Sequence, residues 1–219
     1  MSAGAGFAGA GSGHRLDPAQ LRVLGCLIEK QRTTPDQYPL SLNALRLACN
    51  QSTNRDPVVD YDESTVRAAV QRLGTIGWAR LASGPGSRAA KYRQLFDDAV
   101  GLDAGETAVL AVLMLRGPQT LAELKTRTER LHRFADIAEV EATLAALDGR
   151  ELAHRLDRRP GEREERWTHL LADGPTGGGP VEEPLAAEGE ETSVERRLTR
   201  VEARLDELER ALGERGVLD

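Results

Sequence analysis

CNQSTNRDPVVDYDESTVRAAVQRLGTIGW, residues 49–78, is the stretch whose reading decides the fold. It opens on a polar run, residues 50–57, whose Asn, Asp, Ser and Pro side chains favour turns over regular structure. Asp62 then stands where a helix N-cap belongs. Val66, Val70 and Leu73 follow at helical spacing, which predicts a buried face at about 100° per residue. Ser64, Ala68, Gln71 and Thr75 fall on the opposite side, with Arg67 and Arg72 on its flanks. Gly77 ends the helix, and residues 78–81 and 91–95 read as two short strands around a Gly/Pro-rich tip.

Upstream, Asp17 caps a first helix with Pro18 at its first position, and Leu21, Leu24, Leu27 and Ile28 recur to about Lys30. Two prolines, Pro35 and Pro39, make residues 33–39 a loop. Ser41 caps a second helix, with Leu42, Leu45 and Leu47 expected inward and its end near Cys49. Helix, helix, helix, hairpin is the pattern of a winged helix-turn-helix.

The pattern recurs. Leu102-Asp103 matches Leu16-Asp17, Leu121 and Leu124 match Leu42 and Leu45, and Val140, Leu144 and Leu147 match Val66, Val70 and Leu73. The offset falls from 86 to 79 to 74 residues because the second copy has shorter connections. The expected fold is therefore mainly α with small β-hairpins (α+β): two tandem winged helix-turn-helix domains plus a C-terminal coiled-coil-like helix. The expected boundaries are a disordered leader at 1–15, domains at 16–100 and 101–171, a flexible acidic linker at 172–192, a heptad helix at 193–213 and a tail at 214–219. In that helix Val194, Leu198, Val201, Leu205, Leu208 and Leu212 step by 4 and 3, a seam suited to self-association or to folding back on the domains.

Hydrophobic residues make up 40% and charged residues 29%, an ordinary globular balance, and no apolar run reaches the ~18 residues of a membrane helix. The net charge of −6 is unevenly spread: +3 over residues 1–100, −2 over 101–171 and −7 over 172–219. Only the first hundred residues have a field that tolerates a phosphate backbone. Cys26 and Cys49 read as buried free thiols of a cytoplasmic protein. The four histidines lack ligand spacing, and there is no Gly-rich phosphate loop or nucleophile elbow, so neither an enzyme nor a cofactor or metal is expected.

LDP (16–18), RVLGCLIEKQ (22–31), TPDQYPLSLNAL (34–45) and above all CNQSTNRDPV (49–58) resemble the YceH-like family of bacterial proteins. The likeness covers roughly residues 16–171 and extends to Gly105-Glu106 and to RGPQT at 116–120. It implies a tandem winged-helix fold and no particular activity.

Two functions compete. In the first, the third helix reads double-stranded DNA through Ser64, Arg67, Gln71 and Arg72, while Arg88, Lys91 and Arg93 on the wing meet phosphates. The corresponding positions of the second domain, Glu141, Ala142, Ala145 and Ala146, would repel phosphate but allow close packing, as in a dimer or interdomain surface. In the second, the chain is a protein-interaction adaptor that docks through Asn50, Gln51, Asn54 and Arg55, through Ala142, Ala145 and Ala146, and through the C-terminal helix. The structural alternative for residues 50–57 is a set of Asx turns with Arg55 and Asp56 as a local pair. A homodimer is expected in either case, and no membrane partner.

Overall fold

A computed structural model describes residues 14–82, 90–158 and 164–172. These lie in one compact unit; the heptad segment expected at 193–213 and most of the linker lie outside the described residues. Among the described residues there are seven α-helices and two small antiparallel sheets.

Helix α1 (Pro18–Thr33) starts at a capping box in which Asp17 and Gln20 satisfy each other's backbone N–H groups. A 3₁₀ turn (Pro35–Gln37) leads to β1 (Leu40–Ser41) and α2 (Leu42–Cys49), capped by Ser41. Helix α3 (Glu63–Thr75), β2 (Ala79–Leu81) and β3 (Lys91–Gln94) follow, then the short α4 (Phe96–Val100). The second half runs α5 (Ala104–Arg116), α6 (Leu121–Thr128), α7 (Ile137–Gly149), β4 (Ala153–Leu156) and β5 (Arg166–His169). The sheets are ordered β1-β3-β2 and β4-β5.

The internal repeat holds for the three longer helices and the hairpin of each half. Helices α1 and α5 start 86 residues apart, α2 and α6 start 79 apart, and α3 and α7 start 74 apart. Helices α3 and α7 are each 13 residues long and bury Val66, Val70, Leu73 and Val140, Leu144, Leu147 respectively.

Three elements differ from the sequence reading. Leu47, expected inward, is 56% exposed. At about 100° per residue it lies some 200° from Leu45, and the buried neighbours of Leu45 are instead Ala48 and Cys49. Strand β1 pairs Leu40 with Tyr92 between the 33–39 loop and α2, where the sequence reading has no strand. Helix α4 starts under a glutamine: the Gln94 side-chain oxygen accepts the Phe96 N–H at 2.6 Å, so the usual Ser, Thr, Asp or Asn signal is missing.

The two halves share one core. Helix α1 packs along α5, and both are buried over most of their length, Gln20 to Ile28 and Gly105 to Leu115. Their approach depends on Gly25, where an added Cβ would sit 2.8 Å from Leu115 Cγ. The halves also meet at their edges: the Leu16 N–H donates to the Leu171 carbonyl at 2.8 Å, and Arg15 reaches the Leu170 carbonyl.

Candidate nucleic-acid interface

Burial of Val66, Ala69, Val70 and Leu73 turns the remaining face of α3 to solvent, so Ser64, Arg67, Ala68, Gln71, Arg72 and Thr75 are all exposed. The helix rotation thus brings four of the expected DNA-reading side chains onto one surface. Two of the cations on it already have partners. Arg67 pairs with Glu63 one turn earlier on α3, and Arg72 Nη1 reaches Asp17 Oδ2 at 3.0 Å, tying α3 to the N-cap of α1. Both arginines are half exposed or more, the regime in which an ion pair contributes only about 0–1 kcal/mol.

The entry to α3 is acidic. Asp62 accepts the Thr65 N–H at 2.7 Å and the Ser64 hydroxyl at 2.9 Å. The Thr65 hydrogen bonds and then that of Ser64 hold its carboxyl below the usual range. Ser64 is therefore occupied by the cap, and Arg67, Gln71 and Arg72 lie further along the same face.

On the hairpin, Lys91 and Arg93 project from one face of β3, since Tyr92 and Gln94 alternate to the other. Arg93 stands directly across from Arg80 on β2, and its Nε is buried without a hydrogen-bond partner. Arg80 was missed in the sequence; the pairing register that places it beside Arg93 depends on the length of the hairpin turn. Arg88 lies outside the described residues.

The segment 50–61 turns inward. Arg55, expected at a partner surface or paired with Asp56, is 6% exposed and forks onto Glu29 at 3.1 and 2.6 Å. Its Nε donates to the Ala48 carbonyl at 3.1 Å, and Gln51 Oε1 accepts from it at 3.2 Å. Burial pushes the Glu29 carboxyl up, but the Arg55 hydrogen bonds and charge outweigh this and hold it below its usual value. Asn50 donates to the Tyr61 carbonyl at 2.8 Å and accepts the Tyr61 N–H at 2.9 Å, which closes the base of the segment. Asn54, at φ 60°, accepts from Arg116 of α5. The Asp56 N–H donates to the Leu115 carbonyl at 2.9 Å. A second buried arginine, Arg22, donates to the carbonyls of Cys49 and Pro57 at 3.0 and 2.6 Å. Arg22 was missed as a structural residue, and Arg55 was given the wrong structural partner, because an isolated arginine in a helix or turn carries no sequence signal of burial. The extra length of the first copy thus joins α1, α2 and α5.

Cys26 and Cys49 are free and buried. Their mutual hydrogen bond and then burial push the Cys49 thiol up, away from thiolate chemistry. Among the described residues no helix is long and apolar enough to cross a membrane.

Helix α7 presents Glu141, Ala142, Ala145 and Ala146 to solvent, beside an Ile137 that is 46% exposed. Among the described residues these alanines are not covered by the other half.

The family model described as "Protein of unknown function, DUF480" matches residues 16–162. A UPF0502 protein of Shewanella amazonensis is 45% identical over 205 residues, covering 88% of this chain and 97% of its own. One from Pelobacter propionicus is 49% identical over 198 residues (88% and 90%), and one from Serratia proteamaculans 45% over 213 (94% and 99%). On this evidence, and in agreement with the resemblance carried by residues 16–58, the chain belongs to the DUF480, or UPF0502, family of uncharacterised bacterial proteins.

Proposed function

We propose that the protein is a cytoplasmic, non-enzymatic DNA-binding regulator built from two tandem winged helices, with α3 as the reading helix of the first. The observation that carries this reading is the solvent face of α3, where Arg67, Gln71 and Arg72 stand together and are held only by surface ion pairs. Arg and Gln are the side chains that make bidentate contacts to guanine and adenine edges in the major groove. Lys91 and Arg93, with Arg80, supply phosphate contacts from the wing. The protein acts as a homodimer, so that two reading helices work together. The test is retention of mixed genomic DNA fragments across a salt series. Retention that weakens as salt rises, and is lost in Arg67→Ala/Arg72→Ala, supports the reading; no retention by the unaltered protein at low salt overturns it.

A second reading, an interaction adaptor without DNA readout, is favoured by α7. Its exposed Ala142, Ala145, Ala146 and Ile137 make a small-residue face that admits close approach of another chain. Sedimentation of the protein with Ala145→Arg tests this face: a loss of self-association assigns it to contact between protomers.

A further inference from the structure

A recess of about 40 Å³ lies where α1, α5 and α6 end. Its wall includes Thr33 from α1, Arg116 from α5, Arg127 from α6, Arg130 from the turn beyond α6, and Asn54 from the 50–61 segment. At roughly 10–15 Å³ per water, this space holds about three waters or one tetrahedral oxyanion.

Three arginines line it beside the aliphatic Val112, Leu115 and Leu131, with one carboxylate, Glu29, which is already taken by the Arg55 fork. Arg127 has Glu123 at 3.2 Å, and Arg116 spends a hydrogen bond on Asn54. Arg130 has no ion pair among the described residues. Burial first, and then the charges of Arg127 and Arg55, lower the pKa of Arg116, so the positive groups are close enough to repel one another. Cations in a last helical turn ordinarily complement the helix dipole, which accounts for Arg116 and Arg127 taken singly. It does not account for Arg130, which lies past the end of α6, or for three arginines lining one recess. A guanidinium fork matched to planar-spaced oxygens is the usual means of holding phosphate.

We propose that this recess binds a single phosphoryl group, either free phosphate or the terminal group of a small phosphomonoester, with Arg116, Arg127 and Arg130 as its cationic ligands. The volume admits the phosphoryl group alone, so the rest of any ester stays in solvent. Because the wall draws on α1 and the 50–61 segment from the first half and on α5 and α6 from the second, an occupant ties the halves together. The proposal stands apart from the DNA reading, since none of its residues lies on α3 or the wing.

The experiment is titration calorimetry of the full chain with inorganic phosphate and with glycerol 3-phosphate, against sodium chloride at matched ionic strength. Saturable binding in the millimolar range or tighter is expected for phosphate, and a weakening of about tenfold or more in Arg130→Gln. Arg130 has no ion pair to lose, so that variant keeps its fold, which its circular dichroism checks. Binding of both probes assigns a terminal phosphoryl group as the recognised feature, and binding of phosphate alone assigns the free ion. Absence of saturable binding by either probe overturns the proposal, as does equal binding by Arg130→Gln and the unaltered chain.

Discussion

Helices α3 and α7 have the same length and bury the same three positions, yet their solvent faces have opposite chemistry. Where α3 carries Arg67, Gln71 and Arg72, α7 carries Glu141, Ala145 and Ala146. The approach to each helix differs as well. Thirteen residues separate α2 from α3, but eight separate α6 from α7. The longer connection is folded inward on two buried arginines. Core positions in the repeat are constrained by packing density, which tolerates little change in volume. Surface positions carry no such constraint and are free to take on different work. The comparison teaches that the first copy is specialised twice: outwardly on α3, and inwardly through residues 50–61.

The inward specialisation predicts the largest effect. Arg55→Ala leaves the largely buried Glu29 with only Lys30 at 3.5 Å as a cationic partner and strips the Ala48 carbonyl of its donor. A loss of about 3–5 kcal/mol is expected in urea unfolding. A loss below about 1 kcal/mol would mean that the segment is a surface loop after all.

The next prediction sets the two hairpins against each other. Gln94 and His169 hold equivalent places, each opposite the first residue of the partner strand. His169 is 3% exposed, and burial lowers its pKa to about 4. A base whose folded pKa lies below its unfolded value, about 6.5, contributes stability that is complete above pH 6.5. That stability is lost progressively as pH falls toward 4. About 3 kcal/mol is involved over this window. His169→Gln, which copies the first hairpin, flattens the stability profile between pH 6.5 and 4; an unchanged slope would place the acid sensitivity elsewhere.

Gly25→Val should cost about 1–3 kcal/mol by forcing Leu115 out of its position. Thermal melts check this, and they should show one coupled transition for both halves, because the α1–α5 contact is the shared core. The smallest effect on stability comes from rewriting α3 as α7. Arg67→Glu/Gln71→Ala/Arg72→Ala breaks only exposed pairs and should change stability by no more than about 1 kcal/mol, while abolishing DNA retention.

Much of this architecture is legible in the sequence, for identifiable reasons. Asp17, Ser41, Asp62 and Asp103 all cap helices, because a short oxygen-bearing side chain before an apolar period has few other uses there. The repeat is legible because Val66, Val70 and Leu73 and their counterparts obey the same spacing. Leu47 misleads because three leucines in six residues suggest a face that helical rotation does not allow. Arg22 and Arg55 mislead more deeply. Arginine is a surface residue by composition, and its burial depends on carbonyls and a carboxylate supplied from up to 35 residues away. Of the α3 surface, the exposure of each residue is readable from periodicity, but the pairing of Arg72 with Asp17 is not, since it depends on how α3 crosses α1.

The hydrogen bond between the Leu16 N–H and the Leu171 carbonyl has a consequence for chain order. Points of the backbone that lie 155 residues apart in sequence are adjacent in space, so the described body is nearly a closed ring. A circular permutant cut after the exposed Gly101, with residues 172 and 15 bridged by a short linker, would run second half first and retain the same core. Which repeat is synthesised first is then a matter of history rather than of packing.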